Sequence, residues 1–116
     1  MPAHTIHLRR AWQVVGGGRV DLPILWPPGP SRRVTLTRRF HRPEIDPARE
    51  ALHLEMQSVP GLAAVRLNGQ DLGLGRGGGV WRAPIEMTAA SLLELEVEIP
   101  QSGGPWGHIA ILIERL

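Results

Sequence analysis

The chain has no cysteine, no lysine and no apolar run long enough to span a bilayer. Without cysteine there can be no disulfide, no thiolate metal site and no cysteine nucleophile, and a reducing compartment is permitted. Without lysine, every one of the 13 basic residues is arginine, set against 11 acids for a formal net charge of +2. The sequence pI near 10.9 therefore reports that guanidinium does not titrate, and it is not the footprint of a nucleic-acid-binding surface. Arg9-Arg10, Arg32-Arg33 and Arg38-Arg39 are adjacent pairs. Neighbouring strand residues point to opposite faces, so each pair splits its charge and no phosphate-binding stripe is expected. The opening residues MPAHTIHLRR lack an apolar signal core, and nothing approaches the roughly 20 apolar residues of a membrane helix. A soluble, cytoplasmic protein without membrane or nucleic-acid partners is the expectation.

What the chain does have is glycine, proline and period-two alternation. At 116 residues it is expected to form one domain over 1–116, long enough to bury about two thirds of the surface its unfolded form exposes. Ile6, Leu8, Trp12 and Val14 share one parity; Val20, Leu22, Ile24 and Trp26 continue the pattern, with Pro23 marking an edge position. Val34, Leu36 and Phe40 make a third strand, Leu52, Leu54 and Met56 a fourth, and Ala63, Val65 and Leu67 a fifth. Asn68-Gly69 then supplies the strongest short-range hairpin signal, because a two-residue type I′ turn needs positive φ at both central positions. Trp81, Ala83, Ile85 and Met87 alternate with polar residues, and Leu93, Leu95, Val97 and Ile99 alternate with Glu94, Glu96 and Glu98, giving a strand with an acidic solvent face. The final run, HIAILIER, is apolar on both parities from Ile109 to Ile113, which predicts a central strand covered on more than one side. The only helical turn is expected at Glu44 to Glu50, with Asp46 as N-cap and Pro47 in the first helical position. About eight short strands with regular turn signals predict an all-β fold, an antiparallel β-sandwich of jelly-roll type.

Several segments stand in a telling order: LTRRFHRPE at 36–44, LHLEMQSVPGLAAVRLNGQDLG at 52–73, GGGVWRAPIEMT at 77–88, LLELEVEIP at 92–100 and GGPWGHIAILIE at 103–114. Together they resemble the sugar-binding jelly-roll domain of family-two glycoside hydrolases, the β-galactosidase and β-glucuronidase type, within the galactose-binding-like fold. HLRRAWQVV and LPILWPP look like that domain's opening strands. The chain departs from the pattern at Leu36-Thr37, where an aromatic residue usually precedes the Arg-Arg pair. In that family the catalytic carboxylates belong to a separate barrel domain, for which this chain has no residues. The resemblance thus implies a non-catalytic module. It would either bind carbohydrate or serve as an interaction scaffold, forming homo-oligomers or docking to a larger glycoside hydrolase-type protein. No cofactor is implied, and a structural calcium is left open because main-chain oxygens supply many of its ligands.

Candidate binding residues follow from chemistry and position. An indole can cover the C–H face of a pyranose. Trp12, Trp26 and Trp81 are in phase with the core, whereas Trp106 lies between Gly103-Gly104-Pro105 and Gly107, off any regular pattern, and is the exposed platform the sequence offers. His108 follows it. Asn68 can reach a ligand hydroxyl, and Asp71, Arg76 and Arg82 flank the same hairpin as a polar rim. Loops around 68–81 and 103–108 would then form one ligand-binding end. Gly73, Gly75 and Gly78 match a dinucleotide fingerprint as a string, but the following residues alternate with period two and contain Pro84, so the helix that would hold a pyrophosphate is missing. No metal site is expected: His4 and His7 lie three apart on a strand and face opposite ways, and His41, His53 and His108 have no spacing partner. Ser31, Ser58, Ser91 and Ser102 lack a nucleophile-elbow context.

Overall fold

A computed structural model describes residues 2–73, 80–86 and 89–116, with side chains from His4 onward. Its described elements are all strands: β1 (Pro2–His7), β2 (Trp12–Val14), β3 (Arg19–Val20), β4 (Ile24–Trp26), β5 (Arg32–His41), β6 (Glu50–Gln57), β7 (Leu62–Leu67), β8 (Gln70–Asp71), β9 (Val80–Ile85), β10 (Ala90–Ile99), β11 (Gly104–Trp106) and β12 (His108–Arg115). They form a four-stranded sheet in the order β1-β12-β6-β9, a six-stranded sheet in the order β3-β2-β5-β10-β7-β8, and a two-stranded ribbon of β11 and β4. Every pairing is antiparallel. From β5 to β12 the chain passes back and forth between the two large sheets, as a jelly-roll sandwich requires. The all-β expectation holds. The expected eight strands divide further: the first breaks between His7 and Trp12, its pieces joining the four-stranded and the six-stranded sheet, and the second breaks between Val20 and Ile24, its pieces joining the six-stranded sheet and the ribbon.

Alternation decides which side chains enter the space between sheets. Leu52, Leu54 and Met56 of β6, Trp81 and Ile85 of β9, and Ile109, Ile111 and Ile113 of β12 face Leu36 of β5, Val65 and Leu67 of β7, and Leu93, Leu95, Val97 and Ile99 of β10 across one continuous core. The indole of Trp12 is buried there, with its Nε1 donating to Leu8 O at 2.9 Å. As expected from its two-sided apolar character, β12 is central, between β1 and β6. Asn68 and Gly69 adopt φ of 52° and 81°, the paired positive values of a type I′ corner. Asp46 caps a single turn, accepting from Ala48 N at 3.1 Å on Oδ1 and from Glu50 N at 2.8 Å on its carbonyl, and the chain enters β6 without forming a helix.

The outer face of the six-stranded sheet is closed by charge pairing. Glu94, Glu96 and Glu98 face outward as expected, but they are matched. Arg66 on the neighbouring β7 lies 2.8 Å from Glu94 and 3.3 Å from Glu96, and Arg33 on β5 lies 3.1 Å from Glu98. Hydrogen bonding to Glu96 and Glu94 raises the Arg66 pKa, and bonds from Arg33 and Ser31 hold the Glu98 carboxyl below the usual carboxylate range. A carboxyl depressed on folding stabilises the native state above its unfolded pKa, and that contribution is lost as pH falls through the folded value. Glu98→Gln is therefore expected to lower the urea midpoint at neutral pH, with the gap to wild type shrinking as the medium is acidified below the carboxylate range.

Candidate functional site

The outer face of the four-stranded sheet is built differently. Because β12 is apolar on both parities, Ala110 and Leu112 point away from the core, yet they are only 8% and 4% exposed. Register shows what surrounds them. Thr5 and His7 of β1 stand opposite Leu112 and Ala110 on one side, and His53 and Glu55 of β6 stand opposite them on the other. Beyond β6, Arg82 of β9 is the cross-strand partner of Glu55. The result is a groove of about 400 Å³, with Ala110 and Leu112 at its bottom and polar side chains from all four strands as its walls. Hollows of about 520 and 500 Å³ elsewhere are bordered largely by turn, terminal and strand-end residues around Arg49, Arg115 and Pro47.

The groove has two electrostatic ends. At one, Arg82 is ion-paired with Glu114 through a terminal nitrogen and lies 4.0 Å from Glu55, while His53 Nδ1 sits 3.8 Å from the second Glu114 oxygen, too far for a hydrogen bond. This end sets two carboxylates against one guanidinium. At the other, the amide of Leu8 donates to Ile109 O at 2.8 Å, carrying the β1–β12 register one step past His7. That places Arg9 opposite His108, with His7 diagonal to it, and all three are exposed. None of these three side chains makes a hydrogen bond or ion pair among the described residues. This end is cationic. The arrangement offers an apolar bottom, carboxylate acceptors, and guanidinium, amide and imidazole donors within one shallow depression. No group of three or more His, Asp or Glu among the described residues could hold a metal ion.

Of the six residues singled out from sequence, the structure brings His108 and Arg82 together in this groove. Trp106 requires correction: it is 0% exposed, its ring is part of the core, and its Nε1 donates to Pro60 O at 2.9 Å. The glycines around it have a different purpose. Gly103 and Gly107 take positive φ, and a Cβ on Gly103 would lie 2.3 Å from Trp26 O, so the irregular backbone there serves close packing and the indole turns inward. Asn68 is committed to tying its corner to the start of β10: its Oδ1 accepts from Leu92 N at 2.8 Å and its Nδ2 donates to Ser91 Oγ at 3.3 Å. Asp71 accepts from Gly73 N at 2.7 Å and stands at the edge of the six-stranded sheet, on the opposite sheet from Arg82. Arg76, and with it Gly75 and Gly78 of the dinucleotide-like string, lie outside the described residues.

The single ligand-binding end assembled from the two loops is met only in part. Leu67, just before the Asn68 corner, pairs with Leu93 near the start of β10, whereas Trp106 bonds Pro60 and the adjacent Gly61 accepts from Glu98 near the end of β10. The Asn68 corner and Trp106 therefore sit at opposite ends of β7, whereas Val80 and Trp81, where the first loop rejoins a sheet, pair with Gln57 and Met56 at the end that His108 occupies. Sequence reasoning missed Thr5, His7, Arg9, Glu55 and Gln57. Their signal was present as the outward parity of LHLEMQ and of the first strand, but it points to a site only once those strands are known to flank the two-sided apolar β12.

No protein-family model and no curated protein matches the chain. Among solved structures, 95% of it superposes with a TM-score of 0.77 on the crystal structure of an FMN-binding beta-glucuronidase from Facaelibacterium prausnitzii L2-6, at 19% sequence identity. The chain spans 22% of the length of that protein. What the two share is a fold: the antiparallel β-sandwich that this chain forms is also a segment of that much larger glycosidase.

Proposed function

We propose that this chain is a non-catalytic carbohydrate-binding module that takes its ligand on the outer face of the four-stranded sheet. The observation that carries the reading is the groove itself, in which outward-facing Ala110 and Leu112 are ringed by Gln57, Glu55, Arg82 and His108. A pyranose is amphipathic in the same way, with C–H faces for an apolar bottom and hydroxyls for paired donors and acceptors. The shared fold with a segment of a glycosidase, well short of its whole length, supports an accessory role rather than a hydrolytic one. Titration calorimetry against a panel of mono- and oligosaccharides tests it. Saturable binding is expected. Because a hydrogen bond to a charged group contributes about 1.5–3 kcal/mol, Arg82→Ala should weaken the interaction roughly tenfold or more. Silence across the panel from protein shown to be folded overturns the reading.

A second reading is favoured by a separate observation: all four indoles are buried, at 8% exposure or less, which leaves no exposed indole for stacking against sugar. In this reading the same sheet face is a docking surface, for a second copy of the chain or for a larger glycoside hydrolase-type protein. Light scattering coupled to size exclusion separates the two, since a monomer that persists at all concentrations excludes self-association.

A further inference from the structure

Resting on the carbohydrate reading above, we infer that the groove is closed at one end and takes the terminus of a saccharide chain, not its interior. Its floor runs along β12 from His108 past Ala110 to Leu112, a length of roughly 13 Å at about 3.3 Å per strand residue. Side chains of β1 form one wall and side chains of β6 the other. What shuts the far end is the ion pair of Arg82 with Glu114. Arg82 is the cross-strand partner of Glu55, whereas Glu114 is the partner of Ala51, and β6 lies between their two strands. Their contact therefore passes diagonally over β6 at His53, midway between Glu55 and Ala51. The Nδ1 of His53 is accordingly shut off from solvent, with no hydrogen-bond partner among the described residues. The groove stops short of this bar, at Thr5, Leu112 and Arg82. At the opposite end Arg9, Gln57 and His108 are all exposed, and no ion pair among the described residues joins the two walls. Just inside the bar, Glu55 accepts from Gln57 Nε2 at 3.1 Å on Oε1 and lies 4.0 Å from Arg82 through Oε2. A carboxylate fixed in this way accepts hydrogen bonds from sugar hydroxyls. A terminal ring keeps a free hydroxyl where an interior ring is linked onward, and an onward chain would run into the bar.

The test uses calorimetry with xylotriose, mannotriose and galactotriose, each beside the soluble polymer of the same linkage, and reads the number of sites per sugar residue. For the sugar that binds, the polymer should carry far fewer sites per residue than the trimer, falling in proportion to chain length because only its ends are taken. Glu114→Ala removes the bar and leaves Glu55 and the floor in place, so it should raise the density of sites on the polymer towards that on the trimer. Ala110→Leu fills the floor and should weaken the trimer about tenfold or more, with a thermal melt close to that of wild type. A polymer loaded as densely as its trimer by the wild-type chain overturns the inference and leaves the carbohydrate reading standing. Unchanged sparse loading by Glu114→Ala overturns the part assigned to the ion pair. No binding of any trimer or polymer by folded protein removes both readings together.

Discussion

Gly61→Ala is expected to cost at least about 3 kcal/mol, a large fraction of the 5–15 kcal/mol that holds a domain folded. Gly61 sits at φ +77°, and a Cβ built there would lie 1.9 Å from Glu98 O. The obstacle is backbone in the middle of a sheet, not the end of a flexible side chain, so the loop between β6 and β7 would have to lift. Lifting it breaks the 2.8 Å bond from Glu98 N to Gly61 O that fastens this corner to β10. Gly69→Ala is the control. Gly69 has almost the same backbone angle, φ +81°, but nothing lies within 4 Å of its added Cβ. Its substitution should show only the left-handed penalty of about 1–2 kcal/mol. Thermal melts of both variants check the pair: Gly61→Ala should lose on the order of 15 °C and Gly69→Ala markedly less. Equal losses would mean that the contact with Glu98 contributes nothing.

The second large effect is at Trp106. Removing a buried indole leaves a cavity and costs about 3–5 kcal/mol, and here the loss of the 2.9 Å bond leaves Pro60 O without that donor. Trp106→Ala should therefore fall among the most destabilising substitutions in the chain. Trp106→Phe retains most of the packing but not the N–H, and should cost about 0.5–1.5 kcal/mol, the net contribution of one hydrogen bond. Denaturant titrations followed by circular dichroism measure both. If instead Trp106→Phe folded with wild-type stability and lost saccharide binding, the indole would be a ligand platform after all.

The fold was legible in the sequence because a sandwich is specified by local information. LLELEVEI assigns its own inner and outer faces, HIAILIE announces a strand covered on both sides, and Asn68-Gly69 sets a corner that the backbone angles bear out. The site was legible only in part, since a groove on a sheet face is made by strands distant in sequence. His7, Glu55, Arg82 and His108 meet because β1, β6, β9 and β12 lie side by side, and nothing in a single strand's alternation names its neighbours. Trp106 shows the complementary failure. Departure from periodicity reads as exposure in the sequence, whereas a glycine-rich stretch can leave the regular ladder in order to bring a large ring inward against Pro60.

The placement of β12 governs when the molecule can come into being. The last strand of the sandwich separates the first, β1, from β6 and bonds to both along most of its length. As the chain leaves the ribosome, β1 and β6 emerge with their common partner still to be translated, and their inward side chains lack the strand that joins them. Only when Ile109 to Ile113 arrive can that layer assemble. Contacts of such long sequence separation make for slow, late folding, and a nascent chain stalled before residue 108 would hold its aliphatic side chains open to whatever else is nearby.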